Sequence, residues 1–266
     1  MRCVIILMTH SAYVDICDNF IELFRENWKD CPFEIVGTVV GKNVKIEGIE
    51  TIYIGSEGTL TDCINVAVDK YEADFYMCFL GDAFISTKIC TSQVYDLLEN
   101  LKINKANYCK LIPLNKDLKN KENEKRIIRN IKEKDRYAHT FVAFVATKSF
   151  VKEELVGKTD LEFEYKYLKI ADTSIENLAF CDRFIVVKDV FHIIPSIVKG
   201  KWDRTALRIV KHDNPKINFS SREKMSILEQ TRVSLINTVE DFVPSRIRKI
   251  IKKTLSEIGF KFATDK

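Results

Sequence analysis

The sequence predicts an α/β fold, and three observations carry that expectation. The first is order: Met1–Leu80 reads strand, helix, strand, strand, helix, strand. The second is the character of the strand-length runs. Cys3–Met8 (CVIILM) and Phe75–Leu80 (FYMCFL) are apolar without alternation, as in strands covered on both faces. The third is composition. With 46% hydrophobic residues among 266, nine Gly and five Pro, the chain can bury a large core and is neither collagenous nor linker-rich.

Cys3–Met8 reads as the first, central strand, followed by the polar loop Thr9-His10-Ser11-Ala12-Tyr13. Asp15–Asn27 has Ile16, Phe20, Leu23 and Phe24 at helical spacing, with acids early, where the helix dipole favours them. Phe33–Val40 and Ile49–Ile54 read as the second and third strands. Thr59–Lys70 is a helix capped by Thr59 or Thr61, and Phe75–Leu80 follows as a strand stopping at Gly81-Asp82. Thr91–Leu101 is a short helix and Tyr108–Leu114 a strand. Asn115–Arg136, with nine basic and five acidic residues, reads as a solvated loop with a short helix around Arg126–Ile131. His139–Ala146 is strand-like, Thr147–Leu155 opens a helix, DLEFEY spans 160–165, Phe184–Val187 is an apolar strand, and KGKWDR spans 199–204. From Ser220 onward the residues favour helix, which divides the chain into a main domain, 1–212, and a C-terminal tail, 213–266.

The charge balance, 42 basic against 38 acidic residues for a net +4, is too even for a nucleic-acid binder. Eight cysteines at 3, 17, 31, 63, 78, 90, 109 and 181 form no CxxC pair and no zinc-like spacing, which points to reduced thiols in a cytoplasmic protein. The opening apolar run is too short for a signal-peptide core, and no stretch approaches the roughly 20 apolar residues that cross a bilayer.

Asp82 holds a distinctive position. A carboxylate directly beyond a buried strand is costly without work or partners, and open α/β sheets bind ligands outside the carboxyl ends of their strands. Asp82 therefore stands where an active-site acid would, or where a strand-end turn has a capping Asp.

With these residues in place the chain resembles bacterial GT-A type glycosyltransferases that build capsular or other surface polysaccharides. The resemblance spans roughly Met1–Lys211. It rests on the first strand followed by THSAYVDICDNFIELFRENWKDCPFEI with Trp28, Cys31 and Pro32, on TLTDCINVAV ahead of ADFYMCFLGDAFIS, and on YAHTFVAFVATKSFVKEEL followed by DLEFEY. It implies a Rossmann-like central mixed sheet flanked by helices, and a hexosyltransferase using a nucleotide-diphosphate sugar. Relatives that use a metal carry an acidic pair after the fourth strand, whereas this chain reads Gly81-Asp82-Ala83. Asp82 alone can still hold Mg²⁺ or Mn²⁺ if the diphosphate supplies oxygens. Cationic side chains could stabilise the leaving diphosphate instead, so metal dependence stays open.

Such a transfer needs a diphosphate site, neutralisation of the charge that grows there, and a base for the acceptor hydroxyl. Thr9, Ser11, Tyr13, Ser56 and Thr59 are the loop candidates for the nucleotide. Lys199, Lys201 and Arg204 are the candidates for the diphosphate, with Trp202 as an anchor. His192 reads as a core residue of an apolar strand and His212 as exposed. The resemblance places the base in the DLEFEY segment: Glu164 first, then Glu162, then Asp160, an acid among aromatics having a raised pKa.

Val243–Phe262 carries Val243, Ile247, Ile250, Ile251, Leu255, Ile258 and Phe262 on one stripe opposite Arg246, Arg248, Lys249, Lys252 and Lys253. That pattern fits a helix lying on the anionic inner face of the cell membrane, where a lipid-linked oligosaccharide acceptor would be within reach, and equally a helix packed on the domain or on a second copy in a homo-oligomer. The alternative function is a non-catalytic interaction protein that keeps a degenerate transferase fold.

Overall fold

Unbroken apolar runs of strand length end up covered on both faces, and the first strand shows it. In the computed structural model, which describes residues 1–120 and 125–242, β1 (Cys3–His10) is buried from Cys3 through Thr9. A 3-10 turn, Ser11–Tyr13, leads into α1 (Val14–Asn27), which buries Ile16, Phe20, Leu23 and Phe24. Then come β2 (Glu34–Val40) and β3 (Glu50–Gly55). Thr59 caps α2 (Leu60–Lys70) in a reciprocal capping box with Asp62, and β4 (Phe75–Leu80) follows.

The chain continues through β5 (Ala83–Ile85), α3 (Thr91–Ile103), β6 (Tyr108–Lys110), α4 (Asn115–Leu118), β7 (Ile128–Lys132) and β8 (Ala143–Ala146). One turn of helix, α5 (Lys148–Phe150), runs into a π-turn, Val151–Leu155, ahead of α6 (Asp160–Thr173). Next are β9 (Ala179–Val186), β10 (Ile193–Pro195), β11 (Ile197–Val198), β12 (Lys201–Trp202), α7 (Arg204–Asp213) and α8 (Ile227–Phe242).

Eight strands form one mixed sheet in the order β3-β2-β1-β4-β8-β6-β9-β7. β3, β2, β1 and β4 are parallel; β8 runs antiparallel to both β4 and β6. β9 is parallel to β6, and β7 antiparallel to β9. Beyond the end of β4, β5 pairs with β10 in a small antiparallel ribbon. The core lies on both faces of the sheet. Phe20, Phe24 and Trp28 pack with Leu97 and Leu98 on one side. Ile64, Val68, Phe150 and Phe163 pack with Tyr76 and Phe144 on the other. The class is α/β and Rossmann-like, as expected.

The polar segment 115–136 departs from its expectation. Where a short helix was expected around Arg126–Ile131, β7 occupies Ile128–Lys132 and pairs with β9. Its charges are not simply solvated either. The Arg129 guanidinium bridges Asp117 at 2.7 Å and Asp135 at 2.5 Å, and both carboxylates are buried. Ile128 and Ile131 are the buried positions of this strand, and the fold collects the Arg129, Asp117 and Asp135 charges into one network. The strands expected over Tyr108–Leu114 and His139–Ala146 are also shorter, ending at Lys110 and starting at Ala143.

Candidate functional site

A cavity of about 490 Å³ opens where β1 and β4 end, a volume suited to a small organic ligand. Its floor comes from strand ends, Thr9 and His10 of β1 and the Gly81-Asp82 step after β4. One wall is the start of α2 at Gly58 and Thr59; Tyr13 comes from the turn after β1. Asp160, the first residue of α6, and the Lys199-Gly200 turn between β11 and β12 complete it. The turn holds both residues at positive φ, 51° and 81°, the geometry of a two-residue hairpin loop.

Asp82 sits at the floor as a partly buried carboxylate. Ile197 donates its N–H to Asp82 Oδ2 at 3.3 Å, and Ser196 donates to the Asp82 carbonyl at 3.1 Å. Burial pushes its carboxyl up to about 6. Its neighbours leave it without an acidic companion: a Cβ on Gly81 would overlap the Cys17 sulfur, and Ala83 is fully buried. Among the described residues no three His, Cys, Asp or Glu side chains converge as a metal site. Asp82 by itself is a poor donor set for a divalent cation such as Mg²⁺ or Mn²⁺.

The three acids of the DLEFEY segment separate clearly. Asp160 lines the cavity, and burial raises its pKa. Glu162 is the capping-box partner of Thr159, accepting that residue's N–H at 2.8 Å. Glu164 faces the chain ahead of β8, where Oε1 accepts the Phe141 N–H at 2.8 Å and the Thr140 hydroxyl at 3.1 Å. Burial raises its pKa too, but it is not among the cavity-lining residues.

Of the nucleotide candidates, Thr9, Tyr13 and Thr59 line the cavity. Ser11 instead accepts the Lys42 N–H at 2.9 Å, and Ser56 is exposed away from the lining. Of the cations, Lys199 lies on the wall and, among the described residues, has no carboxylate within ion-pair distance. Lys201 pairs with Glu229 at 3.1 Å, and Arg204 donates to the Met225 carbonyl at 3.1 Å. Trp202 is buried, its indole N–H donating to the Ser220 carbonyl at 3.2 Å. His192 is exposed rather than in the core: a positive φ of 48° turns its side chain outward beside Asp189. His212 is exposed, next to Asp213.

His10 and the Gly58 wall were not among the sequence candidates. His10 carries a legible signal, a polar residue just past a buried strand; its Nδ1 accepts the Ala12 N–H at 3.1 Å. The segment 243–262 lies outside the described residues, and no described helix is long and apolar enough to cross a membrane.

No protein-family profile matches the chain, and no curated protein matches it either. Solved structures resemble it distantly. Staphylococcus aureus TarS 1–349 in complex with UDP-GlcNAc aligns at a TM-score of 0.48 and 11% identity, over 88% of this chain and 70% of that one. A cytidylyltransferase from Leptospira borgpetersenii aligns at 0.42 and 12% identity, over 98% of each chain. A putative glucose-1-phosphate thymidylyltransferase from Bacillus anthracis aligns at 0.43 and 11%, over 83% of this chain and 98% of that one. Likeness at this level says nothing about activity, and the functional reading rests on this chain's own residues.

Proposed function

We propose that the protein is a glycosyltransferase that moves a sugar from a nucleotide-diphosphate sugar to a saccharide acceptor. One observation carries the reading: a ligand-sized cavity at the carboxyl ends of β1 and β4 gathers two partly buried acids, Asp82 and Asp160, with the ammonium of Lys199, which has no ion-pair partner among the described residues. In this reading the diphosphate lies against Lys199, whose ammonium is on the cavity wall, because the start of α2 is already capped by the Asp62 carboxylate. The Tyr13 ring and Thr9 border the nucleoside. Asp160 accepts the acceptor hydroxyl's proton, its basicity raised by burial. Asp82 orients donor hydroxyls at the floor. The same proposal includes a lipid-linked acceptor in surface polysaccharide synthesis, a peripheral position at the inner face of the cell membrane through 243–262, and the division into a catalytic unit, 1–212, and a tail.

Calorimetric titration with UDP and GDP, with and without Mn²⁺, tests the core of it. Saturable binding that weakens at least tenfold in Lys199→Ala is the expected result. A second reading, a non-catalytic interaction protein, draws support from the space around Asp82, where neither position 81 nor 83 admits a second acid. Absence of binding at millimolar nucleotide would favour it over the transferase.

A further inference from the structure

After α7 the chain doubles back across α1 and the β11–β12 hairpin, and one side chain of this strap reaches the back of the cavity wall. Arg222 makes a two-pronged ion pair with Asp15, Nε at 2.7 Å from Oδ2 and Nη2 at 2.6 Å from Oδ1. Nη2 also donates to the Ala12 carbonyl, and Nη1 to the Gly200 carbonyl at 3.4 Å. Its guanidinium carbon lies 4.7 Å from the centre of the Tyr13 ring. Tyr13 and Gly200 both line the cavity, and a Cβ on Gly200 would come within 3.7 Å of the Tyr13 hydroxyl. One planar cation therefore ties the turn after β1 to the turn of a hairpin nearly two hundred residues later in the chain. A guanidinium suits the task, since its fork matches a carboxylate and its face stacks on a ring.

We infer that Arg222 is a positioning residue of the cavity, fixing Tyr13 against the Lys199-Gly200 turn so that ring and ammonium are presented together to a nucleoside diphosphate. The inference rests on the nucleotide-sugar reading for its ligand and on the structure alone for the clamp. The rest of the strap is held separately. Asn19 donates to the Asn218 carbonyl at 3.0 Å and accepts the Ser220 N–H at 2.9 Å. Trp202 and Glu223, and Met225 and Trp202, exchange backbone bonds at 2.9 Å. Loss of the Arg222 fork thus loosens the wall while the strap stays seated.

The test uses the full chain and five variants: Arg222→Gln, Arg222→Lys, Tyr13→Ala, Asn19→Ala and the double variant Arg222→Gln with Tyr13→Ala. Hydrogen exchange needs no ligand. Arg222→Gln should raise exchange at least tenfold for the amides of residues 12–13 and 199–201, with the melting temperature within a few degrees of wild type. UDP affinity should fall about tenfold or more in Arg222→Gln, and Lys, which keeps the charge but lacks the fork, should restore only a small part. The same substitution should cost much less in the Tyr13→Ala background, because the two act through one wall. Asn19→Ala should leave affinity near wild type. Unchanged exchange in Arg222→Gln overturns the clamp whether or not nucleotides bind. Equal affinity losses in Arg222→Gln and Asn19→Ala also overturn it, because the effect is then general loosening of the strap. A wild-type chain that binds no nucleoside diphosphate, with the exchange result intact, overturns the ligand reading and leaves the clamp.

Discussion

Replacing Asp82 by Asn should stabilise the fold and remove its activity, and the two effects should differ in pH dependence. The carboxyl moves from an ordinary 3.8 to about 6 in the fold because burial disfavours its charge. Ionising it there costs roughly 3 kcal/mol more than in the unfolded chain, at 1.36 kcal/mol per tenfold change in proton affinity. The sign follows from proton counting. Between pH 3.8 and 6 the folded state holds more protons than the unfolded one, so stability falls as pH rises through that window. The Asn side chain keeps an acceptor for the Ile197 N–H and carries no charge. The variant should match wild type near pH 3.5, gain through pH 6, and exceed it by up to about 3 kcal/mol at pH 8, several degrees in melting temperature for a chain of this size. Urea unfolding of both proteins from pH 3.5 to 8 measures the difference directly. A gap independent of pH, or a variant less stable at pH 8, would refute the desolvation argument. In the proposed function the same variant should lose sugar transfer by 10² or more.

Asp160→Asn should cut turnover about 10²-fold with nucleotide affinity nearly unchanged, and Glu162→Gln, which keeps an acceptor for the Thr159 N–H, should leave turnover and stability close to wild type. If Glu164→Gln abolishes turnover and Asp160→Asn does not, the base is Glu164. Gly81→Ala should destabilise by about 1–3 kcal/mol through overlap with the Cys17 sulfur, and Cys17→Ala should recover much of that in the double variant, as denaturant midpoints would show. His139 is buried and stacked at 3.6 Å on Tyr167, with Arg183, Lys166, Glu154 and Asp135 around it, and burial holds its pKa well below 6.5. Folding therefore favours the neutral imidazole, so stability should fall as pH drops below about 6.5, and His139→Phe should flatten that fall in unfolding curves from pH 7 to 5. A chain ending near Val243 should stay soluble and lose binding to anionic vesicles at low salt, while equal pelleting of both forms would remove the membrane role of the tail.

Reading strands and helices from the sequence succeeded where burial is simplest. β1 and β4 are buried on both faces, so hydrophobic composition alone announces them, and Thr59 announces α2 because a cap is a local hydrogen bond. β7 was misread because a strand paired at one edge of the sheet tolerates charges that a nearby carboxylate pair can take up, here Asp117 and Asp135 around Arg129. The place of Asp82 after a buried strand was legible, and there it lines the cavity. Within DLEFEY the choice among three acids was not, since helical rotation decides which faces the cavity: Asp160 lines it, Glu162 caps, and Glu164 turns to Phe141. Lys199 and Lys201 differ by one hairpin turn, which sends one ammonium to the wall and the other to Glu229. Arg222 had no signal at all, because its carboxylate and ring partners, Asp15 and Tyr13, lie more than two hundred positions earlier.

The order in which the cavity is assembled along the chain has a kinetic consequence. By Leu80 a growing polypeptide already contains β1 to β4 and the helices α1 and α2, four parallel strands in the order β3-β2-β1-β4 in which the last, β4, returns to pair with β1. Asp160, Lys199, Gly200 and Arg222 arrive only in the second half of the sequence. A ligand seated there would favour only the state in which that late portion has docked onto the early one. Refolding in the presence of ligand should then accelerate or retain the final docking phase while leaving the first, sheet-forming phase at its unliganded rate.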